Sequence, residues 1–220
     1  MSEFSKLKVS ELKLPKLNTV CIATPSVIGP RSVSTGIVKP PVEGQVQVEE
    51  MGLEGDFQVD SRVHGGLDKA VYQFPFETYA TMSEALPHLA QRFLSPCVGE
   101  NFSSTGMTDE TVFVGDIYRV GTALLQVSQP RMPCWKLNQH VGNSHVMAML
   151  VSLKRTGWYY RVLETGHVEA GNAFILEDRL QDAWTVEAIW THWLDLRAQK
   201  KQVVGSVPVP GLSTQWRFDW

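Results

Sequence analysis

Short apolar runs of strand length recur along the chain, and glycine separates most of them. Gln45-Val46-Gln47-Val48, Ala70-Val71-Tyr72-Gln73-Phe74, Thr111-Val112-Phe113-Val114 and Ala123-Leu124-Leu125-Gln126-Val127 are examples, rich in residues that favour a pleated, half-buried surface. The turns between them carry Gly44, Gly55, Gly65-Gly66, Gly115-Asp116 and Gly121. Many short strands with this punctuation predict a mainly β fold, a barrel or sandwich, rather than a chain of βαβ units. Gly115-Asp116 lies between two such runs and predicts a hairpin turn. Strand signals resume at Trp158 to Val162 and, after Gly171-Asn172, at Phe174-Ile175-Leu176.

Helical spacing interrupts this pattern in three places. One helix is predicted from about Phe76 to Leu86, broken or kinked by Pro87. A second follows Asn143-Ser144 as N-cap and runs through Val146, Met149, Leu150 and Leu153 towards Gly157. Val186, Ile189, Trp190, Trp193, Leu194 and Arg197 predict a third, reaching about Lys200, before a Pro/Gly stretch and a short Leu212–Arg217 piece. The predicted organisation is a polar arm over 1–18, a β domain over 19–180 and a short helical appendage over 181–220.

Composition narrows this little. Hydrophobic residues make up 43% and charged residues 20%, as in an ordinary folded domain able to bury its own core. A net charge of -3 gives no global reason to expect nucleic acid, so any anion site must be local. Cys21, Cys97 and Cys134 are odd in number and form no CxxC pair, which argues against a disulfide framework or structural zinc. Lys6, Lys8, Lys13 and Lys16 alternate with single leucines, so the N-terminus reads as neither signal peptide nor membrane span, and cytoplasm is the expected compartment.

Candidate chemistry is densest in Gln129-Pro130-Arg131-Met132-Pro133-Cys134-Trp135-Lys136-Leu137. Prolines on both sides of Arg131 predict a stiff loop. Cations three residues before and two after Cys134 favour its thiolate, which is both a nucleophile and a soft-metal ligand. The competing reading is a small buried hydrophobe. In a second cluster, Gly52 to Asp56 precedes Asp60 and His64-Gly65-Gly66-Leu67-Asp68-Lys69-Ala70. Asp60, four residues before His64, could fix the imidazole for acid/base work, although glycine-rich turns also use such residues for loop amides. Asn101, in Gly99-Glu100-Asn101-Phe102, could bond a heterocycle or a backbone. Lys39 stands beside Pro40-Pro41, where most lysines are solvated, and Lys154-Arg155 with Arg161 could bind phosphate or simply end a helix.

In this order these segments resemble the MOSC domain, the type found at the C-terminus of molybdenum cofactor sulfurases, and most closely its stand-alone YiiM-type group. The matching runs are Thr35-Gly36-Ile37 with Lys39, Gly52 to Asp56, His64 to Ala70, Gly99 to Phe102, Gly115-Asp116, Val127 to Leu137 and Thr156 to Tyr159. The resemblance implies a MOSC-type β-barrel core with a few helices and a funnel for molybdopterin. It makes Cys134 the molybdenum ligand. Arg131, Lys136 and Arg155 become the cations around the pterin phosphate, with Asn101 beside the cofactor, while Lys39, Asp60 and His64 position water or substrate and deliver protons. It further implies reduction of N-hydroxylated compounds such as hydroxylaminopurines and amidoximes, a separate electron-donating reductase, and a homodimer contact. Against the three-helix C-terminal domain common in that group, the tail here reads as truncated. The alternative activity is that of a carrier receiving cofactor or sulfur at Cys134, as MOSC domains do beside a pyridoxal-phosphate domain in sulfurases.

Overall fold

A computed structural model of the chain describes residues 14–59, 64–199 and 209–216. Its strands are β1 (Lys16–Cys21), β2 (Ser26–Ile28), β3 (Val33–Thr35), β4 (Pro41–Val42), β5 (Val46–Glu49), β6 (Gly52–Leu53), β7 (Val71–Pro75), β8 (Phe102–Thr105), β9 (Ile117–Val120), β10 (Ala123–Pro130), β11 (Trp158–Glu164), β12 (Gly166–Val168) and β13 (Phe174–Asp178). The helices are α1 (Thr78–Ala85), α2 (Trp135–Val141), α3 (Val146–Leu153) and α4 (Val186–Ala198). The fold is mainly β, as the pattern of short strands predicts.

Eight strands form one curled half-barrel sheet in the order β13-β9-β10-β11-β7-β8-β1-β4. Only β7 and β8 pair in parallel within it. The far ends meet at one corner. Lys16 bridges Ala173, Phe174 N donates to Pro15 O at 2.9 Å, and Gly171 N donates to Leu17 O at 2.7 Å. This contact hides edge groups that would otherwise stay unpaired. Small sheets of β12-β5-β6 and β2-β3 flank the main one.

The central strand β7 is buried along its whole length because its two faces enter different cores. Val71 points into the barrel cluster with Leu125, Val127, Trp158 and Tyr160. Tyr72 and Phe74 point the other way, into a cluster with Met82 of α1, Leu137 of α2 and Leu150 of α3. Between them Gln73 faces the barrel, where it accepts from Tyr160 OH at 2.8 Å and donates to Ser104 Oγ at 2.6 Å. A buried amide without such partners would be costly.

Several expected elements move. Thr111–Val114 forms no strand, and Phe113 makes only one bridge, to Thr185. Gly115-Asp116 is therefore not a hairpin. The Asp116 carboxylate instead accepts from Phe113 N at 3.0 Å and binds Arg179, closing a side-chain turn that competes with strand pairing. The tight hairpin is Gly121-Thr122, with Val120 paired to Ala123 and Gly121 at φ 57. The helix expected after Asn143-Ser144 starts at Val146, with no side-chain cap. Asn143 Oδ1 accepts from His145 N, and Asn138 Oδ1 from α2 accepts from Met147 N at 2.8 Å, taking an amide that a local N-cap would bond. The segment through Leu137, read as loop, turns helical at Trp135, where Leu137 and Val141 bury at i and i+4.

The helix near the C-terminus is α4, capped by Thr185 Oγ1 on Ala188 N at 3.0 Å. Val186, Ile189, Trp190 and Trp193 join the same apolar cluster as the barrel strands. Val209 and Trp216 belong to it too, while Arg217 lies outside the described residues. The first strand draws Lys16, Leu17 and Asn18 from the stretch read as a polar arm. No helix among the described residues is long and apolar enough to cross a membrane.

Candidate functional site

A cleft of about 620 Å³ opens where the end of β10, the start of β11, β7 and the loops around β3 and β8 converge. Lys39, Asp56, His64, Lys69, Tyr72, Asn101, Arg131, Cys134, Lys136 and Tyr159 all line it. The sequence scatters these residues over more than half of the chain, and the curled sheet gathers them.

Cys134 is half-buried and stands just before α2, in extended backbone at φ -114 and ψ 165. Burial alone would push its thiol up. A hydrogen bond with His64, the Arg131 guanidinium, the charge of His64 and the Lys136 amide together bring it down to about 7. For Cys21 and Cys97 burial outweighs the hydrogen bonds with Thr19 and Tyr79, pushing Cys21 up to about 12 and Cys97 higher still. One thiol of the three is prepared to ionise near neutrality.

Arg131 is almost fully buried, with its guanidinium 5.0 Å from the Tyr72 ring and Nη2 3.4 Å from Val98 O. Its Nη1 is buried with no hydrogen-bond partner. Such a donor is costly unless a ligand completes it. Gly99 makes room for this wall. At φ +85, it lies so close to Ile37 that a Cβ there would meet Ile37 Cγ1 at 2.7 Å.

Lys39, expected to be solvated, is buried, and its Nζ lies 2.6 Å from both Asp56 oxygens. Asp56 also accepts from Ala23 N at 2.7 Å and from Asn101 Nδ2 at 2.9 Å. The carboxylate is thus saturated and holds the ammonium at the cleft wall. Burial pushes Lys39 down from the usual lysine range, and Asp56 opposes it. Asn101 is a clasp rather than a free ligand for a heterocycle. Its Oδ1 accepts from Tyr72 N at 3.1 Å and its Nδ2 also reaches Cys21 O at 3.1 Å, tying β7 to β1.

The remaining predicted residues divide. Lys136 reaches the cleft and donates to Ser34 O at 2.9 Å. Arg155 is not among the lining residues; it pairs with Glu110 and lies 4.0 Å from Glu187 on α4, because the chain turns it towards the acidic start of that helix. Asp60 lies outside the described residues. Four lining residues escaped the sequence reading as site residues. Asp56 and Lys69 stand inside the Gly52–Asp56 and His64–Ala70 runs already singled out, but nothing in their spacing assigns a role. Tyr72 and Tyr159 read only as strand residues, yet strand register sets them opposite each other with rings 5.4 Å apart. Lys69 is half-buried, and burial pushes it down, against the pull of Asp68.

Among the described residues no group of three or more His, Cys, Asp or Glu could hold a metal ion by itself. The cleft fits a metal carried by an anionic cofactor: a low thiol, a buried guanidinium with one nitrogen unpartnered, and Lys69 and Lys136 on the same lining.

Similarity to known proteins extends over most of the chain. The MOSC domain family model matches residues 60–174. The chain is 37% identical over 187 residues to protein YiiM of Escherichia coli, covering 85% of this chain and 83% of that protein. It is 34% identical over 155 residues to a Gibberella moniliformis protein named as a reductase, covering 70% of this chain but 28% of that longer protein. The crystal structure of YiiM from Geobacillus stearothermophilus superposes with a TM-score of 0.73 at 31% identity, covering 92% of this chain and 95% of that one.

Proposed function

The chain belongs to the MOSC domain family, and from that premise we propose that it is a molybdenum-cofactor-dependent oxidoreductase that reduces N-hydroxylated compounds to amines or amidines. Hydroxylaminopurines and amidoximes are the substrate classes. The net reaction takes N–OH, two electrons and two protons to N–H and water. The observation that carries the reading is Cys134, held at about 7 beside the unpartnered Nη1 of Arg131.

Cys134 ligates the metal, and Arg131, Lys136 and Lys69 hold the cofactor's phosphate. When bound, the cofactor supplies two-electron redox chemistry at its metal. The chain supplies the proton chemistry around it. His64 holds a proton at the Cys134 sulfur, and Lys39, fixed by Asp56, presents an ammonium at the cleft wall. The Tyr72 and Tyr159 rings limit water on one side of the cleft and give a planar substrate an apolar wall. Electrons come from a separate reductase in the cytoplasm, and the active unit is a homodimer. The fungal relative named as a reductase supports the redox class.

The test is reduction of 6-hydroxylaminopurine or benzamidoxime by cofactor-loaded protein with a chemically reduced viologen as donor. Formation of the amine or amidine with loss of one water supports the proposal. A fully loaded protein that never turns over favours a cofactor carrier instead.

A further inference from the structure

The loop that brings His64 and Lys69 to the cleft is held from behind by a segment far away in sequence. Asp68, between them, does not line the cleft. Its Oδ1 accepts from Arg161 Nε at 2.7 Å and its Oδ2 from Ser213 Oγ at 2.6 Å. Its carbonyl accepts from Ser128 Oγ at 2.6 Å, and Ser213 N donates to Ser128 O at 2.8 Å. Ser213 is almost fully buried. The loop's back is thus fastened to β11 and residues 209–216 through the Asp68 carboxylate, and to β10 through the Asp68 carbonyl.

Residues 209–216 are themselves anchored on both sides of Ser213. Gly211, at φ +78, lies against Gly115 so closely that a Cβ would come 2.5 Å from Gly115 Cα. Trp216 packs edge-on against Trp190 of α4, with ring centroids 5.3 Å apart. Both contacts fix where the Ser213 hydroxyl points. A hydrogen bond to a carboxylate is stronger than a neutral one, so losing it should release the loop rather than merely loosen the tail.

We propose that Asp68 and Ser213 are positioning residues, and that the 209–216 segment acts as a strap setting His64 and Lys69 in the cleft. Neither residue touches the cleft. The consequence for catalysis rests on the function proposed above, but the strap does not, and it can be read in protein without cofactor.

The experiment is hydrogen exchange by mass spectrometry on the full chain, without cofactor, comparing wild type, Ser213→Ala, Ser213→Thr and Asp68→Asn, with His64 ring resonances followed by NMR. Ser213→Ala and Asp68→Asn should speed exchange within residues 64–70 about tenfold. Ser213→Thr, which keeps the hydroxyl, should restore wild-type exchange. The His64 ring signal should shift in Ser213→Ala and Asp68→Asn while the other five histidines keep theirs. Unchanged exchange in residues 64–70, or a rise equal to that in β10 and α4, would overturn the proposal. An unmoved His64 signal would do the same.

Discussion

Lys39 and Asp56 form a buried ion pair at the cleft wall, with Nζ 2.6 Å from both carboxylate oxygens and side chains only 8% and 2% exposed. Burying two charges is costly, and the cost is offset only while both partners are present. Asp56→Ala would leave the ammonium unpaired and release Ala23 N and Asn101 Nδ2 as well. It should lower stability by about 3–5 kcal/mol in urea unfolding, and adding Lys39→Met should recover much of the loss. A loss below about 1 kcal/mol would show that the pair is not held as described.

Cys134 should be alkylated by iodoacetamide with a rate that rises through a midpoint near pH 7 in protein without cofactor, since the thiolate is the reacting form. Cys21 should stay unreactive across that range. His64→Ala removes a hydrogen bond and a charge that favour the thiolate, so the midpoint should move up. A midpoint unmoved by that change would remove His64 from the thiol's surroundings.

Arg131→Met should separate stability from cofactor binding. The guanidinium is buried with one nitrogen unpartnered, so the cofactor-free protein should become no less stable, and by as much as about 2 kcal/mol more stable. Cofactor retention during gel filtration should instead fall at least tenfold, as expected for losing a charge-assisted contact to phosphate, roughly 1.5 kcal/mol or more. Parallel losses of stability and retention would mark Arg131 as structural.

Asp109 gives the fold a pH slope of its own. It is fully buried, and burial pushes its carboxyl up to about 7, although the amides of Thr156 and Gly157 both donate to Oδ1. Its folded value lies above the unfolded one, so its protonated form stabilises the native state. That contribution is complete below about pH 4 and is lost as pH rises through about 7. Asp109→Asn keeps the Oδ1 acceptor and should flatten unfolding free energy over this window. An unchanged slope would assign the effect elsewhere.

Much of the fold is legible in the chain because each strand carries its own signal. Ala123 to Val127 alternates buried and half-buried positions as its apolar pattern requires. Thr111–Val114 carries the same pattern, yet Val112 and Val114 bury in the barrel cluster while the Asp116 carboxylate takes the Phe113 amide. Local pattern cannot see that competition. α2 was hidden because Pro133 and Pro130 dominate the local reading, while Leu137 and Val141 show their spacing only once the second cluster exists to receive them.

The site was legible where chemistry is local. Arg131, Cys134 and Lys136 are near neighbours in sequence and remain so in space. Lys39 and Asp56 are seventeen residues apart and meet only because β1, β4 and the loop after β6 fold against Asn101. Arg155 failed for the converse reason, since a cation's direction depends on its acidic neighbours, Glu110 and Glu187.

The most direct test of the central claim is molybdenum per chain, measured by elemental mass spectrometry on wild type and Cys134→Ala purified from a host that makes the cofactor. Near one metal per wild-type chain, with a large loss in the folded variant, is the predicted result. Equal metal in both proteins, or none in wild type from a host that loads another molybdoenzyme, would contradict it.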